Sequence, residues 1–410
     1  MIYSENDAMQ FIAENDVKFI RLAFCDIYGN QKNISIMPSE LKRAFKEGIS
    51  FDASAVAGFG DEVRSDLFLF PDPSTLALLP WRPSHGRVVR FFCDIKRPDG
   101  TLFELSSRLI LKKAVRYAAE HGFKIIFGAE CEFYLFKCDE EGNPTNIPLD
   151  NAGYMDVSPL DKGENVRREI CLTLEEMGIT PEASHHEEGP GQNEIDFKYG
   201  DPLVSADNVT TFKWVVRTIA ARNGLYATFD PKPLKDQSGN GFHINMTPKR
   251  INGNTTDGEF FSFMAGVLDR IAEITAFLNP TESSYLRLGE KKAPKYITWS
   301  EQNRSQLIRI PASSSEHRRI ELRSPDCMAN HYLAYALLIY AGMEGILNKK
   351  VPPAPVDINL YKADKSITDK LPKLPSSLSE AVELACCSEF INKVLPARVA
   401  QAYKQLFHKE

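Results

Sequence analysis

The chain reads as an α+β protein of two domains, and three features of its sequence predict this. Its 410 residues exceed what one ordinary core holds. The first hundred residues string short apolar runs between turn formers, forming a small mixed β domain closed by the turn Arg97-Pro98-Asp99-Gly100. Beyond it, amphipathic helical stretches alternate with strands. In one strand Glu194, Asp196 and Lys198 share a face while Ile195, Phe197 and Tyr199 share the other, the pattern of a half-buried antiparallel strand. The division is therefore 1–100 and 101–410.

In chain order, residues 5–14 predict a short helix, Val17 to Phe24 a strand, and Asp26-Ile27-Tyr28-Gly29-Asn30 a turn into a returning strand at Ile34 to Met37. Pro38-Ser39-Glu40 opens a helix to about Glu47, with Ser39 as its N-cap. A loop of small residues from Phe51 to Gly58 runs on through Asp61 and Glu62, and strands follow at 67–70 and 87–95. In the second part, Leu109, Leu111, Ala114, Val115 and Ala118 fall at helical spacing within 107–121, and Gly122 ends that helix. Further helices are predicted at 166–177, 206–223, 258–278 and from about 376, with strands at 227–229, 242–246 and 318–323. The polar, turn-rich segment 279–294 reads as a mobile loop, and 329–347, apolar nearly all round, as a core helix.

Composition narrows the function. A 43% hydrophobic and 25% charged chain is globular, and a net charge of -6 without a long basic tract argues against nucleic acid as a partner. The amino terminus carries no basic and apolar leader pattern and no stretch reaches membrane-spanning length, so a cytoplasmic, non-membrane protein is expected. Eight cysteines without a Cys-x-x-Cys pair suggest neither zinc nor a disulfide framework.

The informative stretch is Gly128-Ala129-Glu130-Cys131-Glu132-Phe133, preceded by Ile125-Ile126-Phe127. Alternation along a strand places Glu130 and Glu132 on one face. Alone, the pattern also fits an edge strand with a solvated glutamate face; buried, two neighbouring carboxylates need cations. Likewise Arg319, Glu321 and Arg323 recur at every second position, which fits a structural ion-pair ladder as well as a site. Taken together, Glu130, Glu132, Glu187, Glu194, Glu321 and His243 supply five carboxylates and one imidazole, hard donors suited to Mg²⁺ or Mn²⁺ and more numerous than one magnesium ordinarily takes. Arg287, Arg304, Arg309, Arg319 and Arg323 add guanidinium groups suited to carboxylate and phosphate oxygens. Metals and arginines without a nucleophile motif point to phosphoryl transfer, and the P-loop pattern is absent.

These stretches, with His185-His186-Glu187 through Gly191-Gln192-Asn193-Glu194, Pro231-Lys232-Pro233-Leu234, Asn279-Pro280-Thr281 through Arg287, and Asn303-Arg304-Ser305 through Arg309-Ile310-Pro311, resemble type I glutamine synthetase over nearly the whole chain. The resemblance implies an N-terminal β-grasp domain and a catalytic domain with a curved antiparallel sheet flanked by helices. It also implies a homo-oligomer, a dodecamer of two stacked hexamers with active sites between neighbours. By position, Glu132, Glu187 and Glu194 would hold one Mg²⁺ (or Mn²⁺), and Glu130, His243 and Glu321 another. Arg287, Arg323 and Gly239 would bind glutamate; Glu182, Tyr199, Thr247, Arg304, Arg309 and Arg319 would bind ATP. Asp52 and Asp66 of the adjacent subunit, with Tyr154, would surround ammonium, and Arg304 and Arg323 would join Asp52 in catalysis.

The sequence also departs from the family. The loop glutamate that the family places before Ala-Pro is Lys292 here, in a loop one residue shorter, so Glu290 would take its catalytic role by a shifted register. A lysine aimed into the site would repel ammonium by roughly a few kcal/mol at an effective dielectric of about 20. Ala55 and Ser238 replace a serine and an asparagine, Lys362 after Tyr361 argues against adenylylation there, and the last helical segment is short, which weakens the ring-to-ring contact. The implied function is an ATP-dependent glutamate–ammonia ligase of glutamine biosynthesis acting through γ-glutamyl phosphate. The alternatives are a γ-glutamyl–amine ligase using an organic amine and a non-catalytic relative.

Overall fold

The computed structural model describes residues 3–60, 63, 65–314 and 317–407, so Asp61 and Glu62 of the early loop lie outside the described residues. A six-stranded and a nine-stranded sheet organise the chain. The first contains β1 (Val17–Cys25), β2 (Gln31–Ile36), β3 (Ile49–Asp52), β4 (Asp66–Pro71), β5 (Ala77–Leu78) and β6 (Arg87–Lys96) in the order β2-β1-β6-β4-β3, with β5 on β6. β1 runs parallel to β6, and the helices α1 (Glu5–Glu14) and α2 (Leu41–Glu47) accompany it, giving the β-grasp arrangement. Residues 38–40 form a tight 3-10 turn before α2, so Ser39 caps nothing; Pro38, with its fixed φ, starts the turn.

The large sheet contains β7 (Phe123–Cys138), β8 (Pro144–Pro148), β9 (Pro181–His186), β10 (Gln192–Gly200), β11 (Leu225–Thr228), β12 (Phe242–Arg250), β13 (Trp299–Glu301), β14 (Ile308–Ile310) and β15 (Ile320–Leu322). Its order is β13-β14-β15-β12-β7-β10-β9, antiparallel except for β13 on β14. Around it lie α3 (Ser107–Glu120), α4 (Glu164–Glu176), α5 (Pro202–Arg222), α6 (Asp257–Leu278), α7 (Glu282–Arg287), α8 (His331–Leu347), α9 (Lys365–Thr368), α10 (Leu378–Cys387), α11 (Glu389–Val394) and α12 (Ala397–Phe407).

One face of the large sheet is sealed by helices. Phe127 stacks on Tyr335 of α8 with centroids 4.2 Å apart, and Phe133 and Phe197 meet Phe212 of α5. That apolar packing leaves the other face of the same strands free to carry charge. The segment 279–294 departs from the mobile loop predicted: it contains α7, because Thr281 caps it, its hydroxyl accepting from Ser284 N–H at 3.2 Å. Among the described residues no helix is long and apolar enough to cross a membrane.

Candidate active site

Cross-strand register turns scattered carboxylates into rows. Directly opposite one another lie His185 of β9 and Glu194 of β10, then Glu194 and Glu132 of β7. One step along, Asp196 of β10 faces Glu130 of β7, which faces His243 of β12. A third row runs from Asn245 of β12 to Glu321 of β15 and Arg309 of β14. Because side chains alternate with period two, all three rows rise from the face opposite the helices. Like charges directly opposite are destabilising, so the face is organised against its own repulsion.

The donors gather into two groups. Ligand atoms of Glu130, His243 and Glu321 lie within 4.8 Å of one another, matching the second predicted metal set. The other compact group is His185, Glu187 and Glu194, whereas the sequence predicts Glu132 with Glu187 and Glu194. Glu132 is instead fastened by Gly241 N–H at 2.7 Å and Gln192 Nε2 at 3.2 Å, and stands 3.9 Å from His243 Nε2, between the two groups. A third group, Asp150, Asp161 and His186, is closed on itself: His186 Nε2 meets Asp150 at 2.9 Å and Arg167 pairs with Asp161 at 2.5 Å. It braces the turn that carries Glu187.

Electrostatics record the strain. Burial, then the charges of Asp196, Glu132, Glu130 and Glu187, push the Glu194 carboxyl well up. Burial and Glu130 push Asp196 up to about 7. Burial also raises Glu132. At Glu130 burial acts upward too, but His243, the Asn245 amide at 2.8 Å and Arg319 outweigh it and hold the carboxyl at about 2. Hard oxygen donors crowded together in this way, some held ionised and some pushed toward their protonated form, fit divalent cations as their neutralising partners.

Cations on the opposite wall are already engaged. Glu321, 1% exposed, accepts from Arg309 at 2.6 Å and from Arg323 Nε at 3.2 Å. Arg287 donates to the Ser324 carbonyl at 2.7 Å, and Arg323 to the Arg304 carbonyl. These groups, with Tyr154, Gly239, Arg304 and Lys292, line a cleft of about 590 Å³. Gly239 is forced by space: a Cβ there would meet the Pro231 carbonyl at 2.3 Å.

A second cleft of about 640 Å³ shares Glu130, Ala183, Asp196 and Arg319 with the first and is lined by Glu182, Tyr199 and Thr247. Arg319 lies over the Tyr199 ring at 5.7 Å and donates to Asn245 at 3.0 Å. Gly128 makes room for that ring, since a Cβ would come within 2.4 Å of it.

Three predicted residues stand outside both clefts. Asp52 and Asp66 face each other across β3 and β4 on the small sheet, both exposed. Glu290 is exposed and absent from the cavity wall; its N–H bonds the Arg287 carbonyl at 3.0 Å, and its charge acts on Lys232 instead. The wall position belongs to Lys292, which pairs with Glu188 across the cleft. Sequence reasoning did not single out His185, Asp196 and Glu188. Alternation signalled the first two, because His185 lies two positions before Glu187 and Asp196 shares the face of Glu194.

Comparison with known proteins gives a consistent family. Residues 104–410 match the model described as glutamine synthetase, catalytic domain, and residues 16–98 that of glutamine synthetase, beta-Grasp domain. The chain is 43% identical to a glutamine synthetase of Clostridium saccharobutylicum over 413 aligned positions, covering 98% of this chain and 93% of the relative. It is 43% identical to one of Methanosarcina mazei, covering 98% and 92%. Among solved structures it resembles a GmaS/ADP complex with TM-score 0.89 at 30% identity, covering 98% and 95% of the two chains. It also resembles a Plasmodium falciparum glutamine synthetase with TM-score 0.86 at 25% identity, covering 99% and 95%.

Proposed function

Because this chain belongs to the glutamine synthetase family, we propose that it joins ammonia to the γ-carboxylate of glutamate at the expense of ATP, releasing ADP and phosphate. It is an ATP-dependent carbon–nitrogen ligase. The observation that carries this reading is the pair of joined clefts, one walled by carboxylates and arginines and the other by Tyr199, Thr247 and Glu182.

The enzyme binds metal, and the hard donors favour Mg²⁺ or Mn²⁺. We assign one ion to Glu187 and Glu194 with Glu132 or His185, and another to Glu130, His243 and Glu321. Such ions neutralise phosphate charge when bound. Arg287, Arg323 and the Gly239 backbone hold glutamate, and Arg304, Arg309 and Arg319 hold the ATP phosphates, with the adenosine end against Tyr199, Glu182 and Thr247. A γ-carboxylate oxygen attacks the terminal phosphorus and ADP leaves. The amine nitrogen then attacks the acyl carbon, phosphate leaves, and the nitrogen loses a proton. In-line positioning and fixed positive charge supply most of the rate in such transfers.

We divide the chain into a β-grasp domain, 1–100, and a catalytic domain, 101–410, and propose a cytoplasmic homo-oligomer of two stacked hexamers. In it Asp52 and Asp66 of a neighbour, with Tyr154, complete the acceptor side. A second reading, an organic amine as acceptor, is favoured by one observation: Lys292, not Glu290, faces the cleft. Phosphate release from ATP with glutamate and Mg²⁺ tests both. A higher kcat/KM for ammonium than for every primary amine in a panel supports glutamine formation, and a preferred amine replaces it with γ-glutamylamide formation. No release with any acceptor rejects the enzyme altogether.

A further inference from the structure

A cavity of about 200 Å³ lies on the helix-backed side of the large sheet, where the tip of the β1–β2 hairpin meets α5 and the start of α8. The hairpin docks closely: a Cβ on Gly29 would stand 2.9 Å from Asn330 Cα, and Asn330 Nδ2 donates to the Ile27 carbonyl at 3.0 Å. At the base of the cavity sits His331, 1% exposed, with no hydrogen-bond partner at either ring nitrogen among the described residues. Burial pushes its imidazole well below the usual range, so it is neutral and offers one N–H and one lone pair. Gln31, on the wall, has a buried amide oxygen that also has no partner among the described residues; turning the amide presents its NH₂ instead.

Two cations share this wall. Lys213 donates to the Cys327 carbonyl at 2.5 Å, which leaves further ammonium N–H groups, and Arg217 lies 5.2 Å from the Phe229 ring centroid. Neither has a carboxylate ion-pair partner among the described residues. Asp326 lies close enough to act on Lys213, but its oxygens are taken by Asn279 at 2.8 Å and Met328 N–H at 3.0 Å. Unspent donors, two cations and, among the described residues, no carboxylate on the wall describe an acceptor-rich, negatively charged ligand.

We propose that this cavity is a binding site for a small oxyanion, a phosphate or carboxylate group, held by Lys213, Arg217, His331 and the Gln31 amide. The site is separate from both catalytic clefts yet adjoins their support. His331 packs edge-on against Phe242, next to His243, and Cys327 Sγ lies 3.5 Å from the Gly241 carbonyl and 3.6 Å from that of Glu132. An anion that redirects Lys213 therefore acts on the backbone beneath two metal-ligand candidates.

Selenate soaked into crystals of the assembled enzyme, located by anomalous scattering, tests this. The expected result is a peak within hydrogen-bond reach of Lys213 Nζ, the Arg217 guanidinium and the His331 ring. Its occupancy should fall at least tenfold in Arg217→Gln, a rim substitution that leaves the core intact, and in His331→Phe. No cavity peak at a concentration that fills the cleft arginines overturns the proposal, as does a peak unchanged in both variants. Displacement of selenate by inorganic phosphate alone, or by succinate alone, supports the site and identifies which source supplies the oxyanion. Displacement by neither means an adventitious ion only and overturns it.

Discussion

The Lys292–Glu188 pair lies on the wall of the first cleft, and the effect it would have on a charged acceptor there follows from its exposure. Two unit charges in contact interact by about 4 kcal/mol at an effective dielectric of about 20 and by about 1 kcal/mol in water. The two side chains are 58% and 34% exposed, which places the pair near the solvent limit, about 0.2–1 kcal/mol. Lys292→Gln should therefore cost the fold less than about 1 kcal/mol. Its larger consequence is functional: the bare Glu188 carboxylate on the cleft wall attracts ammonium, and 1 kcal/mol lowers KM for ammonium about fivefold. Glu188→Gln leaves Lys292 unpaired and raises KM by a similar factor, while the double variant returns close to the parent.

Initial rates of phosphate release with ammonium varied at saturating ATP and glutamate measure this. Hydroxylamine, uncharged at neutral pH, serves as the control acceptor. The opposed shifts should shrink in high salt, because both side chains reach solvent. Shifts in the same direction for the two variants, or equal shifts with hydroxylamine, refute the reasoning: the pair would then act by holding the loop in place and not by its charge.

Glu321→Gln should strand Arg309 and Arg323 and remove one metal donor; counting bound divalent ions by mass spectrometry should show at least one fewer per chain. Gly128→Ala should push Tyr199 into the second cleft and raise KM for ATP about tenfold without changing KM for ammonium, overpacking of this kind costing about 1–3 kcal/mol. Arg108, 6% exposed, links Asp72, Asp94 and Asp207 and so ties the small sheet to α5; Arg108→Met should destabilise by about 3–5 kcal/mol in urea titrations. Burial raises the Asp72 carboxyl, but Arg108, Ser74 and Lys112 hold it below the usual range. That stabilisation is present above about pH 4 and lost as pH falls through the folded-state value, so the acid limb of stability should flatten in Arg108→Met. Finally, Asp52→Asn and Arg319→Gln chains, each inactive alone, should regain activity when mixed and reassembled, approaching about a quarter of the sites if neighbours complete them; failure to recover refutes completion of the cleft by a neighbour's Asp52.

The metal face was legible from a sum of signals: Glu130 and Glu132 alternating with Cys131 and Phe133 also fit a solvated edge strand, and only the addition of Glu187, Glu194, His243 and Glu321 tips the reading toward metal. The ligand sets were less so, because they depend on register between strands far apart in sequence. Only the pairing of β9 with β10 separates His185, opposite Glu194, from His186, which points the other way into a buried bond with Asp150. The Lys292 direction was beyond the sequence for a different reason. It rests on left-handed backbone at two consecutive lysines, φ +42° at Lys291 and +70° at Lys292, which neither residue signals. Helix α7 was missed because its cap, Thr281 with Ser284 at the third position, lacks the usual Glu or Gln.

The same register explains why the site and the core need each other. In the rows His185–Glu194–Glu132 and Asp196–Glu130–His243, carboxylates stand opposite carboxylates, an arrangement that would shift or splay free strands. Slipping β10 by one residue along β7 would relieve the repulsion, but it would also turn Ile195 and Phe197 out of the layer packed on α5. Burial of those apolar side chains, at about 1.5–3 kcal/mol each, holds the charged face in register. The carboxylates are thus kept crowded by the face behind them, and crowding is what makes a cation the favourable occupant.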